Sequence, residues 1–215
     1  MDGAVFAVAI LIMSLAIHEV AHAWVALRCG DTTARDLGRI TLNPLPHIDP
    51  VMTVLLPALL IFSGSPFLFG GAKPVPVYPP RLRNPLRDMM LVALAGPVSN
   101  FLIALVLGVL WTLALGLGLQ TEDTKLMVIL QFSVYFNLLL AAFNMIPVPP
   151  LDGSRVMAWI LPRGIREPYV QLERFGMLLV LILLISGVAR QFIRDTIEVL
   201  YVPINAVNGF VGSLL

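Results

Sequence analysis

Long apolar segments constrain the fold of this chain more than any other feature of its sequence. A helix that crosses a bilayer needs about 20 mostly apolar residues. Four segments approach this length, and they cover residues 4–27, 89–119, 126–146 and 175–189. A fifth apolar run, residues 51–69, is broken by Pro57 and by the sequence Gly64-Ser65-Pro66. These segments predict an integral membrane protein.

The overall composition indicates the same class of protein. Of the 215 residues, 58% are hydrophobic and 13% are charged, and the mean hydropathy is +0.90. Soluble domains are typically about 45–50% apolar and about 25% charged, so an ordinary soluble enzyme and a disordered chain are both excluded. A net charge of +1 provides no basic surface for nucleic acid. A single cysteine, Cys29, excludes an internal disulfide framework.

We expect one membrane-embedded domain over residues 1–215, built as an all-α polytopic bundle of about four to six transmembrane helices. The interrupted run at 51–69 either spans the bilayer or enters and leaves on one side as a re-entrant hairpin. Residues 72–77 contain two prolines and can form only a short extended edge segment. The amphipathic segment 190–215 is either an interfacial helix or a weak span. Oligomeric state has no signature in the sequence.

The first apolar segment contains the sequence His18-Glu19-Val20-Ala21-His22. Two histidines four residues apart lie on one face of a helix, where both imidazoles can reach one Zn²⁺ at about 2.0–2.1 Å. Glu19 lies beside them and can take a proton from a metal-activated water. Ionisable side chains inside an apolar span cost about 2.5 kcal/mol or more, so they are usually functional. The alternative is a polar cluster that only packs helices together.

A hydrolytic zinc site needs a third protein ligand and one open position. Most other carboxylates lie in loops or terminal polar stretches, which leaves Asp49 and Asp152, with His47 as an outside candidate. Three prolines between 147 and 150 end the preceding helix, and such a break can return the Asp152 carboxylate toward the bundle. Asn144, one turn before the first proline, is placed to donate to a substrate carbonyl or oxyanion. Its alternative role is to satisfy a carbonyl freed at the helix end.

The motifs of this chain follow one another in a specific order. His-Glu-Val-Ala-His lies in a membrane helix and is followed about 130 residues later by F-N-M-I-P-V-P-P-L-D-G at 143–153. Between them lie A-L-A-G-P-V-S-N at 93–100 and polar stretches at 42–50 and 71–77. In this order and membrane context, the motifs resemble the site-2 protease family of intramembrane zinc metalloproteases. The two polar stretches are similar to those of its compact bacterial branch.

The resemblance implies a zinc endopeptidase that cleaves transmembrane helices of other membrane proteins and holds one Zn²⁺ per chain. His18, His22 and Asp152 match the metal ligands of the family. Glu19 matches its catalytic glutamate, and Asn144 matches the asparagine of its second motif. Unlike larger members, this chain is expected to have no helix before the first motif and no PDZ or CBS domain. The expected partners are transmembrane protein substrates and the lipid bilayer, and the expected location is a bacterial cell membrane, which the chain crosses several times.

Two functions of other classes remain open, namely metal transport and a metal-binding membrane scaffold without activity. A transport path usually has ionisable groups at successive depths, whereas the four principal groups here are expected to converge on one place. An inactive homologue that serves as a binding protein is disfavoured, because every residue type needed for hydrolysis is present.

The positive charges of the chain bear on its topology. If residues 51–69 form a re-entrant hairpin, the polar connections 30–50, 70–87 and 147–173 share one face. That face and its immediate neighbours then carry eleven of the 14 lysines and arginines, a clear positive-inside bias. A full span at 51–69 divides the same residues eight to six. The bias favours the hairpin, with the N-terminus outside and the zinc site nearer the cytoplasm.

Overall fold

The computed structural model describes residues 2–55, 59, 62, 70–118 and 125–214. Within these residues the chain is mostly helical and contains no β-strand, in agreement with the predicted all-α class. The helices are α1 (Asp2–Arg28), α2 (Thr33–Asp36), α3 (Pro85–Gly116), α4 (Lys125–Asn144), α5 (Asp152–Ile160), α6 (Arg163–Gln171), α7 (Gly176–Ser186) and α8 (Val188–Gly212). Short 3₁₀ turns lie at Leu45–His47, Pro79–Arg81 and Leu172–Phe175, and a π turn covers Pro50–Leu55.

Four helical segments of the described chain are long and apolar enough to cross a membrane. They are Ala9–Arg28 within α1, the whole of α3, Met127–Asn144 within α4, and Arg163–Ser186, which joins α6 to α7. Each of these segments overlaps one of the four that the sequence predicts, but the fourth begins at Arg163 rather than at 175 and ends at Ser186 rather than at 189. The C-terminal helix α8 is not one of the four, and it packs along α3 and α4.

The central helix of the bundle is α3, which packs against α1, α4, α5 and α8. Its buried face carries small residues that let the neighbouring helices approach closely. Among them are Ala93, Gly96 and Ala104. Its opposite face exposes an apolar stripe at four-residue spacing, made of Val98, Leu102, Val106 and Leu110. A continuous apolar stripe on the outside of the bundle is suited to contact with lipid.

The polar connections 30–50 and 70–84 lie together at one end of the bundle. The buried carboxylate of Asp31 accepts hydrogen bonds from the backbone N–H groups of Thr33 and Tyr78. Burial raises the pKa of Asp31, but these hydrogen bonds lower it below its ordinary value, so the carboxylate is ionised at neutral pH. Arg39 donates to the carbonyl oxygen of Lys73 at 2.8 Å. These bonds fasten the two connections to each other.

The two ends of the segment 50–70 are also joined. The Thr53 hydroxyl donates to the carbonyl of Gly71 at 2.6 Å, and the N–H of Lys73 donates to the carbonyl of His47 at 2.8 Å. The chain therefore enters and leaves this segment at one end of the bundle, as a re-entrant hairpin requires. The predicted hairpin itself lies outside the described residues between 56 and 69, apart from positions 59 and 62.

A break after α4 positions the last of the predicted metal ligands. The helix ends at Asn144, and the prolines that follow cannot continue it. The Tyr169 hydroxyl donates to the carbonyl of Pro147 at 2.9 Å, and Gly176 packs so closely on Pro150 that a Cβ atom there would lie 2.7 Å from the proline ring. These contacts direct the chain back toward α1. The next helix, α5, begins at Asp152, where the helix dipole favours a negative charge.

Candidate metal centre

Two histidines of α1 face the interior of the bundle one helical turn apart. His18 is 4% exposed and His22 is 7% exposed. Their Nε2 atoms are 3.0 Å apart, and their rings meet edge to face with centroids 4.5 Å apart. The four-residue spacing in the sequence therefore brings both Nε2 atoms to one point.

The carboxylate of Asp152 meets the two histidines at that point. Its Oδ2 atom lies 3.3 Å from Nε2 of His18 and 3.4 Å from Nε2 of His22. A carboxylate oxygen and two imidazole nitrogens are donor atoms of the kind that zinc binds. Across the described residues, this is the one group of three His, Cys, Asp or Glu side chains close enough together to hold a metal ion.

The chemistry of these donor atoms fits a bound cation. Nδ1 of His22 lies 2.7 Å from the carbonyl oxygen of Val92. Because a carbonyl only accepts, Nδ1 carries the ring proton and Nε2 presents a lone pair. Oδ2 of Asp152 is buried and accepts no hydrogen bond from the described residues. Buried acceptor atoms this close repel each other unless a proton or a metal ion lies between them. Ligand atoms of a tetrahedral zinc ion with bonds of about 2.0–2.1 Å are about 3.3 Å apart, close to the distances found here.

Glu19 lies beside the three ligand atoms and is 9% exposed. One of its carboxylate oxygens, Oε2, accepts a hydrogen bond from the backbone N–H of Val75 at 2.8 Å. This donor belongs to the segment 72–77, which forms no strand within the described chain. The bond orients the carboxylate and engages only one of its two oxygens.

A cavity of about 340 Å³ opens onto this group and is lined in part by Asn144 and Arg155. Nδ2 of Asn144 donates to the carbonyl of Leu140, one turn back in α4, at 3.1 Å. An amide nitrogen carries two N–H groups, so this bond leaves a second donor for a ligand in the cavity. Both of the roles weighed for Asn144 are therefore compatible with its position.

The two other candidate ligands organise the loop that follows α2. His47 is buried, and its Nε2 donates to the carbonyl of Thr41 at 2.9 Å. Oδ1 of Asp49 accepts from the N–H of Val51 at 2.9 Å. Neither residue lines the cavity or belongs to the group of possible metal ligands.

Sequence reasoning did not anticipate several contacts in this site. A Cβ atom at Gly96 would lie 2.5 Å from His18 and His22, so the absence of a side chain there makes room for the rings. Asn100 places Oδ1 2.6 Å from Nδ1 of His18. The motif at 93–100 was the available signal for both residues. The contacts of the Val75 N–H and the Val92 carbonyl involve backbone groups. A sequence motif identifies side chains, so it cannot predict these contacts.

Comparison with known proteins places these residues in a family context. The profile described as peptidase family M50 matches residues 113–187. YwhC of Bacillus subtilis (strain 168), named as a zinc metalloprotease, is 37% identical over 179 residues, which are 82% of this chain and 78% of that protein. No solved structure matches the chain.

Two mycobacterial proteins with the same kind of name are also similar. Rip2 of Mycolicibacterium smegmatis is 32% identical over 178 residues, and Rip2 of Mycobacterium tuberculosis (strain ATCC 25618 / H37Rv) is 28% identical over 175 residues. Each match covers 81% of this chain. The chain spans 64% of the length of these two relatives.

Proposed function

This chain belongs to peptidase family M50, the site-2 protease family of zinc metalloproteases, and on that premise we propose that it hydrolyses peptide bonds within or near transmembrane helices of other membrane proteins. One observation carries the proposal. Three side chains that could hold a metal ion line a cavity together with a glutamate, inside a bundle of helices that are apolar enough to span a membrane. A peptide bond that reaches this site would belong to a segment of another protein that lies within the membrane.

Each side chain has a chemical task. His18, His22 and Asp152 would hold one Zn²⁺, which would polarise a carbonyl and lower the pKa of water toward about 7. Glu19 takes a proton from the attacking water as the water oxygen bonds to the scissile carbonyl carbon. The same carboxyl gives this proton to the amide nitrogen as the C–N bond breaks. Asn144 donates its second N–H to the carbonyl oxygen as negative charge develops there.

The hydrogen bonds of a helix bear on the form in which a substrate enters. In a helix, the carbonyl groups that must react accept hydrogen bonds from N–H groups one turn further along the chain and are covered by them. A substrate helix therefore unwinds before cleavage, and we expect residues that weaken helices, such as glycine or proline, near the cut.

The proposed location is a bacterial cell membrane, crossed several times by a single domain. Four helices of span length and relatives from bacteria support this location. The connections rich in arginine and lysine meet at one end of the bundle, and the positive-inside rule assigns that end to the cytoplasm.

Cleavage of a single-span test substrate in detergent tests the proposed activity. The wild-type protein with zinc should cut a substrate whose helix contains glycine or proline, a chelator should stop the reaction, and added zinc should restore it. Glu19→Gln preserves the shape of the side chain but removes the base. It should keep about one zinc per chain and lose about 10²–10⁴-fold in rate.

Glu198→Gln is the matched control, because Glu198 is exposed on α8 and lies outside the cavity. It should cut at the wild-type rate. A Glu19→Gln protein that also cut at this rate would rule out the mechanism. Zinc binding without cleavage, together with zinc uptake into sealed vesicles, would instead support the alternative of a transporter.

A further inference from the structure

A chain of buried amides connects His18 to a backbone carbonyl of α4. Oδ1 of Asn100 lies 2.6 Å from Nδ1 of His18. Nδ2 of Asn100 donates to Oδ1 of Asn137 at 2.9 Å, and Nδ2 of Asn137 donates to the carbonyl of Ser133 at 2.9 Å. Both asparagines are 0% exposed. The chain of hydrogen bonds crosses from α1 through α3 to α4.

The carbonyl at the far end determines the direction of every bond in this chain. Because the carbonyl of Ser133 can only accept, Asn137 must turn its nitrogen toward it and its oxygen toward Asn100. Asn100 then turns its nitrogen toward Asn137 and its oxygen toward His18. Reversing either amide, or both, would bring two oxygen atoms together in a buried site.

The orientation of Asn100 decides which nitrogen of His18 carries the proton. An amide oxygen facing Nδ1 requires a proton on Nδ1, and the neutral ring then has its lone pair on Nε2. Nε2 is the atom that faces Asp152 and His22. The far end of the chain of amides therefore sets the form of His18 that can bind a metal.

We propose that Asn100 and Asn137 are positioning residues for the metal centre. Together with the Ser133 carbonyl, they form what we call the amide relay. The relay holds the His18 ring in place with Nε2 free to bind zinc, and it thus rests on the proposed zinc site. His22 has a shorter version of the same arrangement, because the Val92 carbonyl faces its Nδ1 directly. Val92 and Asn100 are two turns apart on one face of α3, so a single helix face orients both histidines.

Zinc affinity separates this role from simple helix packing. Asn100→Leu removes the acceptor for His18 and should weaken zinc binding about 10–100-fold, the usual effect of losing such a contact. Asn100→Asp keeps an acceptor for His18 but loses the bond to Asn137, and it should stay within a few-fold of wild type. If the two asparagines only hold α3 against α4, both variants lose the bond between Asn100 and Asn137 and should weaken zinc binding equally. Equal weakening would therefore rule out the amide relay.

Two further variants complete the set. Asn137→Leu frees Asn100 to turn, so it should weaken zinc binding by less than Asn100→Leu. Asn208→Leu is the matched control, because Oδ1 of Asn208 in α8 is buried without a hydrogen bond among the described residues and the side chain lies outside the cavity. It should leave zinc affinity unchanged.

The proton position can be read directly in zinc-free protein. The chain contains three histidines, so ¹⁵N NMR of histidine-labelled protein at alkaline pH gives a simple spectrum. His18 should carry its proton on Nδ1 in the wild type and in Asn100→Asp, and on a mixture of both nitrogens in Asn100→Leu. An Asn100→Leu protein with the wild-type proton position would refute the relay. A wild-type protein that bound no zinc would refute the proposed function, and the spectra would still decide the relay.

Discussion

Gly96 of α3 stands directly against the ring of His18. A Cβ atom at position 96 would lie 2.5 Å from Cε1 and 2.6 Å from Nε2 of His18. The same atom would lie 2.5 Å from Nε2 of His22. These distances are too short for any side chain, so only glycine lets α3 pass the two histidine rings at this separation.

Gly96→Ala should therefore displace the histidine rings and weaken zinc binding by at least about 10-fold, with a matching loss of cleavage. Gly209→Ala in α8 is the control, since nothing lies within 4 Å of its added Cβ atom. It should retain zinc. Metal analysis of both purified proteins measures the difference, and full zinc in Gly96→Ala would contradict the close approach.

Single substitutions test the ligand set. His18→Ala, His22→Ala and Asp152→Ala should each lose bound zinc as well as activity, because each removes one of three ligands. His47→Ala and Asp49→Ala should keep about one zinc per chain, because both side chains serve the loop. Zinc stoichiometry of the purified variants decides the matter. Full zinc content in Asp152→Ala would show that the third ligand is a different residue.

Gly153→Ala should impair the metal centre although it leaves every ligand in the sequence. A Cβ atom at Gly153 would lie 2.2 Å from the carbonyl oxygen of Met145, and both groups are rigid backbone. The start of α5 must shift to relieve this clash, and Asp152 shifts with it. We expect weaker zinc binding and a lower melting temperature. Gly164→Ala, where nothing lies within 4 Å of the added atom, should change neither.

Asn144→Ala tests whether this residue stabilises the transition state. Removing one donor to a developing oxyanion typically lowers kcat about 10²–10³-fold. We expect this loss with zinc content unchanged, because Asn144 lines the cavity and a side-chain amide is not one of the usual zinc ligands. Steady-state kinetics with the test substrate separate kcat from KM. A wild-type kcat in this variant would show that Asn144 only satisfies a carbonyl group at the end of α4.

Labelling in intact cells tests the re-entrant hairpin. In a Cys29→Ser background, Leu37→Cys and Pro80→Cys place single thiols at exposed positions in the two connections that meet at one end of the bundle. An impermeant thiol reagent should label neither. Leu117→Cys, just beyond the far end of the 32-residue helix α3, is the positive control and should be labelled. If only one of the first two thiols reacted, residues 51–69 would cross the bilayer fully.

Features that depend on short stretches of chain could be predicted from the sequence alone. The length and apolarity of a segment decide whether it can span a bilayer, so the predicted segment 126–146 agrees closely with α4 at Lys125–Asn144. The geometry of one helical turn brings His18 and His22 to the same point. The prolines after Asn144 were enough to end α4 and to favour Asp152 over Asp49 as a possible third ligand.

How these parts meet depends on the tertiary packing of the helices. The sequence of α1 does not predict that Asn100 bonds to Nδ1 of His18 or that Gly96 must lack a side chain. It also does not predict that Asp152 comes within 3.4 Å of both histidines. These contacts depend on how closely α3, α4 and α5 pack on α1. The N–H of Val75 and the carbonyl of Val92 act through the backbone, which is the same in almost every residue. Their roles in the site follow from position in space and therefore cannot be read from the identity of the residue.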